Sequence, residues 1–244
     1  MRFILTGTLS IIFLFFLTGS VYAMHISEGI LPLDWAVLWF LVMIPFIARG
    51  IYILQANSKK SVHFKAMTSL VGAAIFTISS MPIPIPIVGS TSHLCGSGIA
   101  AILVGPFVTV VLSSIILLLQ ALFLTHGGLS ALGADVFSMG VVGGFTGIAV
   151  FYSANFFNVN KSLSVFLACT FSSWAIYLTT AGQLALVMQN DGSLRTMFLS
   201  IVAAFIPTQI PLGIMEGLIS AGAYRFILDR RPDLFQKLTL GRLG

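Results

Sequence analysis

Long apolar runs separated by short polar breaks dominate the chain. From residue 24 onward they cover approximately 34–54, 63–81, 94–124, 134–153, 162–188 and 196–228. Each is about as long as, or longer than, the roughly 20 residues a helix needs to cross a bilayer. The pattern predicts a helical bundle whose solvent is lipid. Taken as they stand, the runs give six spans. The run 94–124, however, contains Gly105-Pro106, and proline both lacks an amide proton and disfavours a helical residue before it. Splitting there makes seven spans and leaves a short piece, Leu94 to Gly105, covering only about 18 Å of a hydrocarbon core roughly 30 Å thick. Irregular backbone at membrane depth is tolerated where protein or a cavity surrounds it, and short segments often mark a binding site. Pro207 and Pro211 are expected to kink the last long helix, Thr196 to Leu228, without ending it.

Composition supports the class and charge chooses between the two counts. Hydrophobic residues make up 57% of the 244 and charged residues 8%, against about 25% charged in an ordinary soluble domain. That excludes a soluble or disordered chain. Two cysteines, Cys95 and Cys169, both in apolar runs, exclude a disulfide scaffold. The basic residues lie singly or in small groups, so the positive balance reads as topology and no nucleic acid is expected as a partner. With the N-terminus outside, six spans put Arg49, Lys59, Lys60, Lys65 and Arg195 in the cytoplasm and leave Lys161, Arg225, Arg230, Arg231, Lys237 and Arg242 outside. Seven spans leave only Arg195 outside, as the positive-inside bias requires. The expected fold class is therefore an all-α membrane protein, a seven-span helical bundle.

The beginning of the chain has a different character. Arg2, the apolar run Phe3 to Leu17, and the ending Val21-Tyr22-Ala23 read as a secretory signal peptide cut after Ala23, the alternative being an uncleaved first helix. The expected organisation is a signal peptide at 1–23, a seven-helix substrate-binding domain at 24–228 and a basic cytoplasmic tail at 229–244. Gly140, Gly143, Gly144 and Gly147 form overlapping GxxxG pairs, which allow close helix approach. Gly96-x-Gly98-x-x-Ala101 superficially matches a dinucleotide fingerprint but follows no strand of a βαβ unit. Prolines at 82, 84 and 86 favour an extended segment.

Ionisable residues within a membrane protein are candidates for function. Of four histidines, His63 lies beside Lys60 and Lys65 and reads as interfacial. His25, His93 and His126 fall on the outer side of the seven-span arrangement. A histidine at the second position of the mature chain has its own chemistry. The Met24 α-amine, the His25 amide nitrogen and a His25 ring nitrogen form fused chelate rings around one metal, a set that suits Ni(II) or Cu(II) in square-planar coordination and that Co(II) accepts with less fixed geometry. One more donor closes the plane, and His93 is the best candidate. Glu28, three residues on, either orients the His25 ring or is a solvated loop carboxylate. Cys95 is a soft donor two residues from His93, or a small packing residue. No H-E-x-x-H pair, G-x-S-x-G elbow or Walker A sequence occurs, and only Asp135 and Glu216 bring carboxylates near membrane depth, too few for a charge-lined channel.

Three stretches carry a family resemblance. Met24-His25-Ile26-Ser27-Glu28-Gly29-Ile30-Leu31-Pro32 is similar to the N-terminal signature of the CbiM/NikM family. Gly89-Ser90-Thr91-Ser92-His93-Leu94-Cys95-Gly96-Ser97-Gly98 and the stretch from Gln120 through Thr125-His126-Gly127-Gly128 to Ala134 resemble its further motifs. Thr91 and Leu94-Cys95 depart from the expected pattern. The family comprises substrate-capturing S components of energy-coupling-factor importers for cobalt and nickel. The resemblance, closest to the cobalt branch, implies a non-catalytic subunit that holds Co(II), or Ni(II), as transported substrate, with no organic cofactor. Met24, His25 and His93 would bind the metal, with Glu28, Ser92 and His126 around it or lining the vestibule. The implied partners are a transmembrane T component (CbiQ-like), cytoplasmic ATPases (CbiO-like) and a small accessory membrane protein (CbiN-like). Cobalt so acquired would serve cobalamin biosynthesis.

Overall fold

The computed structural model describes residues 22–23, 25–81, 83–85, 90–124, 126–189 and 193–230. The expected signal peptide, apart from Tyr22 and Ala23, lies outside them, as do Met24 and most of the expected tail. Seven helices follow in order: α1 (Leu33–Lys60), α2 (Val62–Ser79), α3 (Ser97–Val104), α4 (Pro106–Phe123), α5 (Leu132–Phe156), α6 (Lys161–Met188) and α7 (Leu194–Arg230). All but α3 are long and apolar enough to cross a membrane, which makes six candidate spans.

The short segment predicted around residues 94–105 is α3. Its eight residues rise only about 12 Å, and it is enclosed by α2, α4, α5 and α6. Ser97, Gly98 and all five residues from Ala100 to Val104 are buried. Gly105 breaks the helix at φ +95°, a conformation that side-chain-bearing residues rarely adopt. Pro106 then opens α4 at a position where its missing N–H costs nothing. The glycine-rich face packs as its spacing predicts. A Cβ on Gly147 would lie 2.8 Å from the Cα of Gly98, and one on Gly143 would lie 2.7 Å from Cδ1 of Ile176. The sequence did not announce that α5 is π-helical from Phe137 to Gly143. α7 runs unbroken through Pro207 and Pro211.

A small sheet accompanies the helical bundle. β1 (Tyr22–Ala23), β2 (Ile83–Ile85) and β3 (Ser90–Ser92) form a small sheet in the order β1-β3-β2. β1 runs parallel to β3, and β2 antiparallel to it, with Pro84 opposite Thr91. The alternate prolines forbid a helix, and the remaining backbone groups of an extended segment find partners in a neighbouring strand.

Helix directions sort the molecule into two ends. The start of α1, the ends of α2 and α4 and the start of α5 meet at one end, where Gln120 Nε2 donates to Ser79 Oγ at 2.8 Å. The α1–α2 and α5–α6 junctions and the end of α7 lie at the other, where Lys161 and Arg225 border the same hollow. Lys59, Lys60 and Lys65 flank the α1–α2 junction, so they share that end, whereas Arg195 begins α7 at the first. His63 is exposed at the α2 start, as expected of an interfacial residue.

Candidate metal centre

His25 begins the described segment that leads into α1, and His93 follows β3. The parallel pairing of β1 with β3, in register Ala23 to Thr91, carries the chain so that the two residues arrive side by side. Their Nε2 atoms are 2.8 Å apart and both residues are buried. His126, in the loop between α4 and α5, completes a triangle. Its ring centre lies 5.5 Å from that of His25 and 5.4 Å from that of His93, and its buried Nε2 has no hydrogen-bond partner among the described residues. One nitrogen from each of the three rings lies within 4.8 Å of the others.

The hydrogen bonds fix the tautomers. Leu94 O lies 3.1 Å from His93 Nδ1, and a carbonyl only accepts, so His93 Nδ1 carries the proton. Neutral His93 then offers a lone pair on Nε2, and His25 donates to it from its own Nε2–H. Burial is the main cause that lowers the pKa of all three rings, with the neighbouring imidazoles adding to it for His25. His93 is brought down to about 4. At neutral pH the cluster is therefore uncharged, the state in which imidazole binds a metal.

The supports around the cluster come from distant parts of the chain. Asp135 Oδ1 accepts the N–H of Ile26 at 3.1 Å, fixing the peptide just after His25. Gln120 O accepts the N–H of His126 at 3.2 Å. The turn after His126 lies directly on the N-terminal segment: a Cβ on Gly128 would come within 2.7 Å of the Glu28 backbone, and one on Gly127 within 3.1 Å of His25 Cβ. Ser92 Oγ lies 2.8 Å from Tyr177 Oη and accepts from Gln209 Nε2 at 3.1 Å.

Three predicted residues, His25, His93 and His126, thus converge. His126 faces the other two rings. Ser92 is buried beside them, anchored to α6 and α7. Glu28 is exposed, and its Oε2 accepts the N–H of Ser130 at 3.1 Å. It therefore ties the His126 loop to the N-terminal segment, with Ser130 rather than the His25 ring as its partner, and these bonds hold its carboxyl below the ordinary range. Met24 lies outside the described residues. Cys95 is fully buried as a free thiol. The sequence reading missed Asp135 as a support for His25. The available signal was a lone carboxylate in an apolar run, seven residues after the His-Gly-Gly turn.

Comparison with known proteins places this arrangement. Residues 25–234 match the family model described as "CbiM: Cobalt uptake substrate-specific transmembrane region". The chain is 50% identical over 222 residues to a cobalt transport protein CbiM of Geobacter sulfurreducens, covering 91% of this chain and 64% of that protein. It is 46% identical to the CbiM of Sorangium cellulosum, covering 91% of this chain and 98% of that one. The chain therefore spans just under two thirds of the Geobacter relative and nearly all of the Sorangium one. A crystal structure of a truncated transition metal transporter shares the fold at a TM-score of 0.73 and 24% identity, covering 84% of this chain and 99% of that chain. The match over most of its length shows that the chain belongs to the CbiM family of transmembrane transport proteins.

Proposed function

We propose that the chain is the substrate-capture (S) component of an ATP-driven energy-coupling-factor importer for cobalt, supplying the metal for cobalamin biosynthesis. The observation that carries this reading is the buried approach of His25 and His93, 2.8 Å apart, with His126 facing the same space. Imidazole nitrogens suit late divalent metals, and the relatives named above are cobalt transport proteins. The metal is held by the Met24 amine, the amide and ring of His25, and His93. The fused chelate closes through His25 Nδ1, so loading turns that ring away from its bond to His93. The same nitrogen set suits nickel, which is the second reading.

This ligand set requires a free amine at Met24, hence cleavage of the signal peptide after Ala23. Cleavage removes β1 and leaves the β2–β3 pair to support His93. Residues 24–228 then form the substrate-binding domain and 229–244 a basic tail. Seven crossings, with the mature N-terminus outside and the C-terminus in the cytoplasm, are supported by the helix directions: the extended segment and α3 together carry the chain from the end of α2 to the start of α4, at opposite ends of the bundle. The subunit is non-catalytic. ATP hydrolysis belongs to CbiO-like ATPases, coupled through a CbiQ-like transmembrane component, with a CbiN-like accessory protein.

A native mass spectrum of detergent-purified protein with an untagged N-terminus, after incubation with equimolar Co(II) and Ni(II), tests the reading. A mass beginning at Met24 with one cobalt is expected. One nickel instead would move the protein to the nickel branch with its chemistry intact. A full-length mass without metal would overturn both the cleavage and the ligand set.

A further inference from the structure

Glu216 is a buried carboxylate that the proposed metal chemistry leaves unused. It sits on α7 at 2% exposure, where Oε2 accepts the N–H of Cys95 at 3.1 Å and Oε1 that of Gly96 at 2.9 Å. Both oxygens act as acceptors, so the two amides are held by one side chain. Gly96 caps α3 without a side chain to do so itself. The two amides thus belong to the segment that leaves His93.

The segment entering His93 is tied to the same helix. Ser92 Oγ accepts from Gln209 Nε2 at 3.1 Å, and Gln209 is likewise buried. Gln209 and Glu216 are seven residues apart, two turns on one face of α7 and about 10.5 Å along its axis. The chain from Ser92 to Gly96 reaches at most about 13–14 Å when extended. It therefore has little slack between its two anchors, and His93 lies between them. Tyr177 on α6 steadies the first anchor, at 2.8 Å from Ser92 Oγ.

We infer that α7 is the positioning element for His93, holding its loop through Gln209 and Glu216 so that Nε2 meets the incoming metal. Neither residue touches the metal; both act through the loop. The inference rests on the metal-capture reading, because it assigns a role relative to His93. A role confined to bundle stability would leave metal affinity and ligand field unchanged.

The test is titration of purified protein with Co(II) chloride, recording affinity and the visible ligand-field spectrum, for wild type, His93→Ala, Glu216→Gln, Gln209→Leu and each anchor variant combined with His93→Ala. Glu216→Gln presents an NH₂ group to one of the two N–H donors. It is expected to weaken cobalt binding roughly 10- to 100-fold, the range for lost outer-shell support, and to move the spectrum toward that of His93→Ala. Gln209→Leu is expected to do the same more weakly. Either anchor change should add nothing once His93 is gone. Wild-type affinity and spectrum in both anchor variants, with only a lower melting temperature, would overturn the inference, as would losses that multiply with that of His93→Ala. If Glu216→Gln fails to accumulate in membranes, Gln209→Leu carries the same comparison. A wild type that binds no cobalt would overturn the capture reading itself, an outcome distinct from normal wild-type binding with silent anchors.

Discussion

His25 and His93 are 68 residues apart in sequence and share a hydrogen bond in the core, so each is expected to be individually necessary. His25→Ala should abolish cobalt capture, because it removes the only ring in the fused chelate. His93→Ala should weaken capture strongly while leaving the protein in the membrane. His126→Ala is the more informative change. A ring that only lined an entry path would alter uptake rate without altering equilibrium affinity, whereas a buried Nε2 with no partner among the described residues predicts an affinity loss of about tenfold or more. Equilibrium titration of the three variants separates these outcomes. Proton competition gives a further check on the ligands. Burial lowers the pKa of His93 to about 4, so that ring stays deprotonated as pH falls from 8 to 5.5 and contributes little to any loss there. An α-amine with an ordinary pKa of about 7.7–8.0 is protonated over that interval. If the Met24 amine binds the metal, affinity should fall at least about tenfold per pH unit below 7, and more steeply if the His25 amide also releases its proton. An affinity flat from pH 7 to 5.5 would remove the amine from the ligand set. Among nearby carboxylates, Asp135 accepts the Ile26 N–H and Glu28 that of Ser130, so neither supplies a competing charge directly on a ring.

The loop after α4 and the N-terminal segment meet with no room between them. Gly128→Ala would force its Cβ against the Glu28 backbone, 2.7 Å away, and is expected to displace the segment that carries His25. Its signature should be weaker metal binding with the helices intact, read by titration beside circular dichroism. Gly147→Leu belongs to another class. It meets Gly98 of α3 at 2.8 Å, where overpacking costs about 1–3 kcal/mol, and it should lower the thermal midpoint first. How far these elements could be read from sequence follows from the range of the forces that make them. The break at Gly105-Pro106, the extended proline segment, the close glycine contacts and the uninterrupted α7 rest on properties of a residue and its near neighbours, and they were all legible. The three histidines could be nominated because the seven-span arrangement puts them on one side and His25 stands second after the expected cleavage. The π-helical stretch of α5, the small sheet, and the bonds of Asp135 to Ile26 and Glu216 to Cys95 were not legible. The two carboxylate bonds join residues 109 and 121 apart, and one sequence contains no local signal for which carboxylate meets which amide.

The arrangement of the bundle and the distribution of charge give independent support to one orientation. Lys59, Lys60, Lys65, Lys161, Arg225 and Arg230 gather at the end opposite the histidines, and Arg195 lies at the histidine end. By the positive-inside bias that separation predicts the histidine end on the outer side. Such an outcome depends on α3. If the extended segment and α3 complete a crossing, the α5–α6 loop falls in the cytoplasm and the α6–α7 loop outside; if the whole 94–124 stretch makes one pass, both loops change sides. Single cysteines report the difference cleanly, because the native Cys95 and Cys169 are buried and should give little background with a bulky, membrane-impermeant maleimide. In intact spheroplasts Arg195→Cys should label and Lys161→Cys should not, the latter reacting only after the membrane is opened. The reverse pattern would make six crossings the correct count. It would also place five of the eleven basic residues after Ala23 inside rather than ten, leaving the charge asymmetry without a topological cause. With the predicted pattern, the buried histidines open toward the side from which metal arrives, and the half-length α3, too short to span the core alone, leaves room above it for their loop.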